Sequence, residues 1–278
     1  MPEGMLPQDD DFFSSFQVVA LFHCSFHITK GNIIDWFLKQ DHIDLDGLEY
    51  SCLPSGLHLV EKDVIYISRD GYEGVCVYRR RQTEEEGLRG ARFSAIGLLV
   101  EKSTRPRPWR HLKHLHALSS ELDNCPDNRQ ILAHYYEDHK QSATNTEGPW
   151  VDWPTELSLH PDHPLHRLPL LINILGPSTV TVFKYVLARK RIMIYTHPAT
   201  ELSCLMAMMI SQVCHQKREA ASEPPVTILG MVGLTDLDRL ALEASRGYGW
   251  IACRANDSFG AFDADADDYR HNRQAVFR

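Results

Sequence analysis

The segment that decides the fold of this chain is Thr181–Ser211, which reads TVFKYVLARKRIMIYTHPATELSCLMAMMIS. Its first part predicts a helix, which Ser178 or Thr179 is suited to cap. Four apolar side chains are spaced so that they form one stripe along that helix: Val182, Phe183, Val186 and Leu187. The segment therefore begins with an amphipathic helix whose apolar stripe is expected to face a core.

A basic turn then leads into a short apolar run. This run, Ile192–Tyr195, lies between Arg191 and His197-Pro198. Its length and its flanks favour a strand that is buried on both faces of a parallel or mixed sheet. Thr200-Glu201 then opens an apolar helix that is expected to run to about Val213. Helix, buried strand and helix in this order predict a layered α/β unit.

The first half of the chain is rich in apolar runs bounded by turn residues. Ile43–Tyr50 predicts a short helix, and longer helices are expected after Trp109 and after a cap at Asp127-Asn128. Several antiparallel strands followed by helices predict an α+β unit. The predicted strands are Phe16–Ile28, Ile33–Leu38, Asp63–Ser68, Gly74–Arg79 and Arg92–Val100.

Composition divides the chain into five segments. Residues 1–15 are acidic and are predicted to be disordered, and residues 16–140 hold the α+β unit. Residues 141–149 are polar and rich in turn residues, which predicts a linker. Residues 150–260 hold the second unit, and residues 261–278 are expected to form a loose polar tail.

The order of these pieces resembles the longin–DENN domain family, and its LCHN type in particular. In the second half, the resemblance rests on the helix, basic element and strand at Leu187–Ile194, LARKRIMI. The resemblance implies a longin-like α+β module at 16–140, followed by a layered α/β central DENN module at 150–260. In the first half it rests on Gly31–Trp36, Asp44–Glu49, Leu53–Gly56 with His58, Asp63–Tyr66 and Arg89–Gly97.

The second half departs from the family pattern at its end. In the family the central module continues into a further helical segment, and no such segment is found here. We therefore expect either that this sequence is a truncated version of a longer gene's sequence, or that the protein is a shortened member with an incomplete DENN module. An incomplete module would expose apolar surface.

Composition also excludes several function classes. The net charge of −8 and the pI near 6.0 argue against general nucleic-acid binding, which needs a basic face. No apolar run approaches a membrane-spanning length, and the start of the chain lacks the blocks of a signal peptide. The 7 cysteines are scattered and form no Cys-x-x-Cys pair, so they predict reduced, mostly buried thiols in a cytoplasmic protein.

No motif in the chain predicts a cofactor or a metal site. A phosphate-binding glycine loop and a dinucleotide fingerprint are both absent from the sequence. Two groups of three histidines contain side chains that could bind a metal, but neither group has a carboxylate or cysteine at a recognised spacing. We interpret them as surface histidines. The groups are His111, His114 and His116, and His160, His163 and His166.

A basic cluster at the turn into the central strand allows two interpretations. Lys184, Arg189, Lys190 and Arg191 lie at the end of the predicted helix. Cations are favoured there because the carbonyl end of a helix carries partial negative charge, and this is the preferred interpretation. The alternative is contact with an acidic partner surface or with lipid head groups, through Lys184, Arg189 and Arg191.

Arg92 also allows two interpretations. It begins an apolar strand, and the simpler role is solvation of the strand end with an ion pair to Glu84–Glu86. By resemblance to folliculin, a longin–DENN relative, Arg92 would instead be an arginine finger that activates GTP hydrolysis. A guanidinium suits the charge that develops on a transferring phosphoryl group. The simpler role is favoured.

Taken together, the resemblance implies a regulator of Rab-family small GTPases in membrane traffic. We expect a guanine nucleotide exchange factor that works by binding rather than by covalent chemistry. The alternatives are a GTPase-activating protein that uses Arg92, and a scaffold without nucleotide activity. Expected partners are a Rab GTPase and other longin or DENN proteins, with no nucleic acid. Membrane contact is expected to be at most peripheral, on endomembranes.

Overall fold

The computed structural model describes residues 17–54, 56–84, 90–102, 106–140, 160–197, 199–214, 226–247, 249–255 and 275–277. Nine strands within these residues form one sheet: β1 (Val18–His27), β2 (Gly31–Lys39), β3 (Lys62–Arg69), β4 (Tyr72–Gln82), β5 (Ala91–Val100), β6 (Ile192–Thr196), β7 (Thr227–Met231), β8 (Trp250–Ala255) and β9 (Ala275–Phe277). Seven α-helices lie in the same residues: α1 (Leu48–Cys52), α2 (Leu112–Asn124), α3 (Gln130–His139), α4 (Leu168–Leu175), α5 (Ser178–Leu187), α6 (Glu201–Cys214) and α7 (Leu237–Ser245).

The sheet combines an antiparallel half with a parallel half. Its strand order is β2-β1-β5-β4-β3-β7-β8-β6-β9. The first five strands of this order, from β2 to β3, pair antiparallel with their neighbours. The last four, from β7 to β9, pair parallel. The two halves meet where Ile67 of β3 pairs with Gly230 of β7. The mixed α/β fold expected from the sequence is confirmed, and the two halves of the chain share one sheet.

Helices cover the sheet unevenly. Helices α2 and α3 pack on the first half, where Leu115 and Leu132 are fully buried. On the second half, α6 packs on β7, β8 and β6 and also reaches β3, so it lies across the junction. The apolar helix predicted from Thr200-Glu201 is confirmed as α6. Its sequence is apolar because it is buried against both halves of the sheet.

The central strand is confirmed, but its burial differs from the prediction. Ile192 and Ile194 are buried in β6, whereas Met193 and Tyr195 are partly exposed, so the strand is not buried on both faces. The reason is that α6 covers one face, while the other face packs against a small cluster that includes Leu240 of α7. One-sided cover produces alternation even in a parallel strand.

Two predicted helix caps are wrong. Helix α3 begins at Gln130 after Arg129, and neither Asp127 nor Asn128 caps it. Helix α5 begins at Ser178 itself after Pro177, without a side-chain cap hydrogen bond. A proline at the entrance already supplies the backbone angle that starts a helix, so no polar cap is needed there.

Other local predictions need smaller corrections. In the stripe of α5, Val182 and Val186 are buried, but Phe183 and Leu187 are exposed. The short helix expected at Ile43–Tyr50 lies further along, at Leu48–Cys52. Residues 1–15 and 141–149 lie outside the described residues. So does most of 261–278, within which β9 pairs with β6.

Candidate functional site

The two halves of the chain meet at a seam, which we define by three contacts. The first is a buried carboxylate. Asp63 of β3 accepts hydrogen bonds from the Thr200 main-chain N–H at 2.6 Å, from the Thr200 hydroxyl at 2.9 Å and from the Glu201 N–H at 3.0 Å. These N–H groups belong to the start of α6, which lacks an intrahelical acceptor for them. Asp63 therefore caps a helix that lies 137 residues later in the chain.

The second contact of the seam is the pairing of β3 with β7. Gly230 adopts a positive φ of 66° at a bulge in β7. A Cβ atom there would lie 2.6 Å from the Tyr66 carbonyl oxygen and 2.9 Å from the Ile67 Cα atom. Glycine is therefore required both for the backbone angle and for the close approach of the two strands.

The third contact of the seam places histidine rings on a buried tryptophan. The rings of His160 and His163 lie with their centroids 4.7 and 4.9 Å from the Trp109 ring, in edge-to-face geometry. His163 is buried, and its Nδ1 accepts a hydrogen bond from the Leu165 N–H. Edge-to-face ring pairs of this kind stabilise packing. The segment before α4 is thereby attached to the first half of the chain.

The interpretation of both histidine groups as surface residues is wrong for two members. His163 is buried at the seam, and His111 is buried between α2 and α3, where its Nδ1 lies 2.6 Å from the Tyr135 hydroxyl. Burial lowers the pKa of His114, and His139 and Lys113 lower it further. Within the described residues, no group of three or more His, Cys, Asp or Glu side chains is arranged to hold a metal ion.

The basic turn ends α5 in a Schellman motif. The Lys190 N–H donates to the Tyr185 carbonyl, and the Arg189 N–H donates to the Val186 carbonyl, both at 2.9 Å. Arg189 occupies the left-handed position of this motif, with a φ of 52°, where glycine is the usual residue. The Arg191 guanidinium donates to the Ala244 carbonyl at 3.2 Å, at the end of α7.

The four basic residues of the turn therefore do not act as one group. The backbone of Arg189 is in contact with the second half of the sheet, because a Cβ on Gly249 would lie 2.5 Å from the Arg189 carbonyl carbon. Arg191 is partly buried, whereas Lys184 is exposed on the outer side of α5. Lys184 is thus the member of the cluster whose side chain is exposed, in the last turn of α5.

Arg92 lies at the far end of the antiparallel half. It is directly opposite Arg81 in the register of β5 and β4. Arg81 and Arg79 both form ion pairs with Asp123, which is buried at the end of α2. Arg92 also has an interaction partner within the chain. Its proposed ion pair with Glu84–Glu86 falls mainly outside the described residues.

The described cysteines agree with the sequence prediction. Five are buried free thiols, and Cys125 is an exposed free thiol. Burial raises the pKa values of the Cys52 and Cys76 thiols, and the neighbouring thiols Cys24 and Cys76 raise the pKa of Cys52 further. Protonated thiols in a closed core are poor nucleophiles, so these residues have a packing role. The buried cysteines are Cys24, Cys52, Cys76, Cys204 and Cys253.

Sequence reasoning did not find Asp63, Trp109 or Gly230 as the residues that join the two halves. Asp63 precedes an apolar run and Thr200 precedes a helix, so each looks like an ordinary end of its own element. A signal does exist at Gly230, because a glycine inside a strand pattern often marks a bulge, and β7 has its bulge there.

None of the single helices in the described part of the chain is long and apolar enough to cross a bilayer. The pair Pro164–Leu175 and Ser178–Leu187 passes that test when taken together, but it is bent by 118° at Gly176-Pro177.

The fold is thus one mixed sheet, in which an antiparallel half joins a parallel half and helices pack on both halves. Comparison with known proteins identifies the family to which this chain belongs. The sequence model of the family described as DENN domain-containing protein 11 matches residues 21–261. The chain therefore belongs to the family of DENN domain-containing protein 11, which confirms the resemblance seen in the sequence.

Individual relatives agree with this assignment. DENN domain-containing protein 11 of Rattus norvegicus is 27% identical over 259 residues, which cover 87% of this chain and 55% of the relative. The protein of the same name from Xenopus laevis is 29% identical over 211 residues, which cover 72% of this chain and 46% of the relative. The chain thus spans about half the length of the curated relatives it matches.

Proposed function

We propose that this chain is a regulator of Rab-family small GTPases and acts as a guanine nucleotide exchange factor. Two observations support this function. The chain belongs to a DENN domain family over most of its length. Its two halves share one sheet and are tied together by Asp63, so a surface that spans both would be held in one shape.

An exchange factor needs such a rigid surface. It binds the nucleotide-free GTPase more tightly than the nucleotide-bound form, and this difference in affinity drives release of the nucleotide. A surface that deforms to fit either form would lose the difference. We therefore propose that the GTPase contacts both halves of the chain across the seam. The chain would then act in the cytoplasm, at the surface of endomembranes.

The environment of Arg92 favours exchange over activation of hydrolysis. An arginine finger must leave its own protein and reach the phosphates in the active site of the GTPase. Arg92 lies within a strand, opposite Arg81, and already has a partner in the chain. The second positive charge beside Arg92 would suit an acidic partner surface. An arginine finger, however, must extend into the active site of the GTPase, and a residue inside a strand extends less far from its own protein than a residue in a loop.

A panel of Rab GTPases separates the candidate functions. The exchange function predicts that the purified chain speeds release of labelled GDP from at least one Rab, and that Arg92→Ala leaves the rate unchanged within about twofold. The control is Arg246→Ala, an exposed arginine that pairs with Glu243 on α7. If hydrolysis of bound GTP is accelerated instead, and Arg92→Ala removes that acceleration while binding is kept, the chain is an activating protein.

A third outcome would assign the chain to scaffolding. A Rab that binds without a change in GDP release or in GTP hydrolysis would contradict both nucleotide activities. Binding of another longin or DENN protein in the same assay would then identify the class of partner. The measurement needs only pull-down and fluorescence traces with the same purified proteins.

A further inference from the structure

The helical hairpin of α4 and α5 exposes an unusual amount of apolar surface. Six of the eight residues of α4 are Leu or Ile, yet Leu171 alone among them is buried. The main contacts of α4 are with the turn before it and with α5, not with the sheet. The exposed apolar residues of the hairpin are Leu170, Ile172, Ile174, Val180, Phe183 and Leu187, with exposures between 39% and 58%.

On α5 these exposed residues form a stripe of their own. Val180, Phe183 and Leu187 follow the three- and four-residue spacing of one helix face. Lys184, which is also exposed, lies on the same face. Val182 and Val186 occupy the opposite face and are buried. The helix is therefore apolar on both sides, and its outward side carries a single cation.

The ionisable side chains of this region include basic residues but no carboxylates. The chain as a whole has 37 acidic and 29 basic residues and a net charge of −8. From His163 to Thr200, however, the sequence contains no Asp or Glu at all. The same stretch holds five cations: Arg167, Lys184, Arg189, Lys190 and Arg191. An acidic protein thus presents one apolar region from which negative charge is missing.

We propose that the α4–α5 hairpin is a docking surface for an anionic lipid bilayer. Helices that lie in a membrane interface place an apolar face among the acyl chains and cations among the head groups. Each basic residue near an anionic leaflet adds attraction of about fivefold in binding. Each helix of the hairpin is too short to cross a bilayer by itself, and a bend of 118° separates the two, so we place the hairpin on the membrane surface.

An apolar face can also bind protein, and the composition of this one favours lipid. Protein interfaces concentrate their binding energy in Trp, Tyr and Arg. The exposed large apolar side chains of the hairpin are aliphatic except for Phe183, and the stretch from His163 to Thr200 carries cations without any Asp or Glu. Lipid binding by this surface is a property separate from the nucleotide reaction, so the flotation measurement itself needs no Rab.

Vesicle flotation with the purified full chain tests the docking surface. The chain should float with vesicles of phosphatidylcholine that contain about one third phosphatidylserine, and much less with phosphatidylcholine alone. Replacement of the stripe by Val180→Ser, Phe183→Ser and Leu187→Ser together should lower the bound fraction by about tenfold or more. The matched control replaces three equally exposed apolar residues elsewhere, Phe37, Leu59 and Leu242, with serine and should float like the original chain.

The charge is tested separately. Lys184→Glu should weaken binding to the anionic vesicles roughly tenfold, because it removes one attraction and adds one repulsion. Lys113→Glu makes the same change on the exposed side of α2 and should have little effect. Since salt screens charge, the difference between the two variants should shrink as the salt concentration rises. Thermal melts check that all variants are folded. If the triple serine variant melts differently from the original chain, the single variant Val180→Ser takes its place.

Three results would overturn the proposal. The first is equal flotation with charged and uncharged vesicles. The second is the absence of flotation together with a dimer, detected by sedimentation, that the triple serine variant breaks, because the hairpin would then bind a second copy. The third is loss of Rab binding in Lys184→Glu with flotation unchanged, because the hairpin would then bind an acidic protein.

Discussion

The carboxylate of Asp63 lies 2.6 Å from the main-chain nitrogen and 2.9 Å from the hydroxyl of Thr200, which follows it by 137 residues. Asp63 belongs to the antiparallel half of the sheet, and Thr200 stands at the start of the helix that covers the parallel half. Both residues are buried. A single carboxylate therefore supplies the cap of α6 and ties the two halves of the chain to each other.

Removal of this carboxylate should destabilise the whole protein. Asp63→Ala should lower the free energy of unfolding by about 3 kcal/mol, because three donors at the start of α6 lose a charged acceptor. Thr200→Val, which removes one hydroxyl, should cost only about 1 kcal/mol. Urea unfolding measures both. Asp41→Asn, at an exposed aspartate, is the control and should be neutral. Equal effects of all three changes would show that Asp63 does not join the halves.

Gly230 should tolerate no side chain. Gly230→Ala combines a positive φ with a Cβ atom 2.6 Å from the Tyr66 carbonyl oxygen, so it should cost about 3 kcal/mol or more. Gly247→Ala isolates the first of these effects, because Gly247 has a φ of 75° but no atom within 4 Å of its Cβ position. It should cost about 1 kcal/mol. Thermal melts that show similar losses for the two variants would contradict the close β3–β7 contact.

The protein should be more stable with glycine at position 189 than with alanine there. Its φ of 52° is strained for any residue with a Cβ atom, and glycine is preferred at this position of a Schellman motif. Arg189→Gly and Arg189→Ala both remove the charged side chain, so their comparison isolates the backbone. We expect Arg189→Gly to be more stable by about 1 kcal/mol in urea unfolding. A more stable alanine variant would show that the left-handed turn is not formed.

Glu73 should make stability depend on pH. Burial raises the pKa of its carboxyl group from 4.5 to about 7. The folded state therefore holds this proton more tightly than the unfolded state does, and ionisation of Glu73 destabilises the fold. The cost is largest above pH 7 and disappears as the pH falls through about 4.5.

Glu73→Gln removes this ionisation. The variant should be more stable than the original chain at pH 8, and the advantage should shrink steadily between pH 7 and pH 5. Comparison of the two proteins at each pH cancels the titration of every other group, so a melt series in matched buffers is sufficient. An advantage that stays constant over this range would mean that Glu73 keeps an ordinary pKa in the folded state.

Much of the local structure could be predicted from the sequence because it depends on neighbouring residues. Apolar runs bounded by turn residues predicted β1 to β5, and the basic turn at Arg189–Arg191 between two apolar segments predicted a helix, a turn and a strand. The burial of Ile194 followed from its central place in that strand. The predicted helix caps are wrong, because Pro177 and Arg129 occupy the cap positions in place of the residues that were expected there.

The candidate site was predicted less completely. The basic turn was found because cations at the end of a helix are a local pattern, but the sequence could not separate the exposed Lys184 from Arg191, which binds the Ala244 carbonyl. The exposed side of α5 was also missed. Phe183 and Leu187 continue the apolar spacing of Val182 and Val186, but they stay exposed because none of the described elements covers them.

The sequence by itself determined the class of protein, the type of most elements and the missing negative charge between His163 and Thr200. These features depend on residue types and on spacings of a few positions. Tertiary structure alone decided that β3 pairs with β7, that Asp63 caps α6 and that Gly230 lies against the Tyr66 carbonyl. The physical reason is that backbone pairing and buried polar contacts are satisfied by whichever partner the fold brings near, and here those partners lie more than a hundred residues apart in the chain.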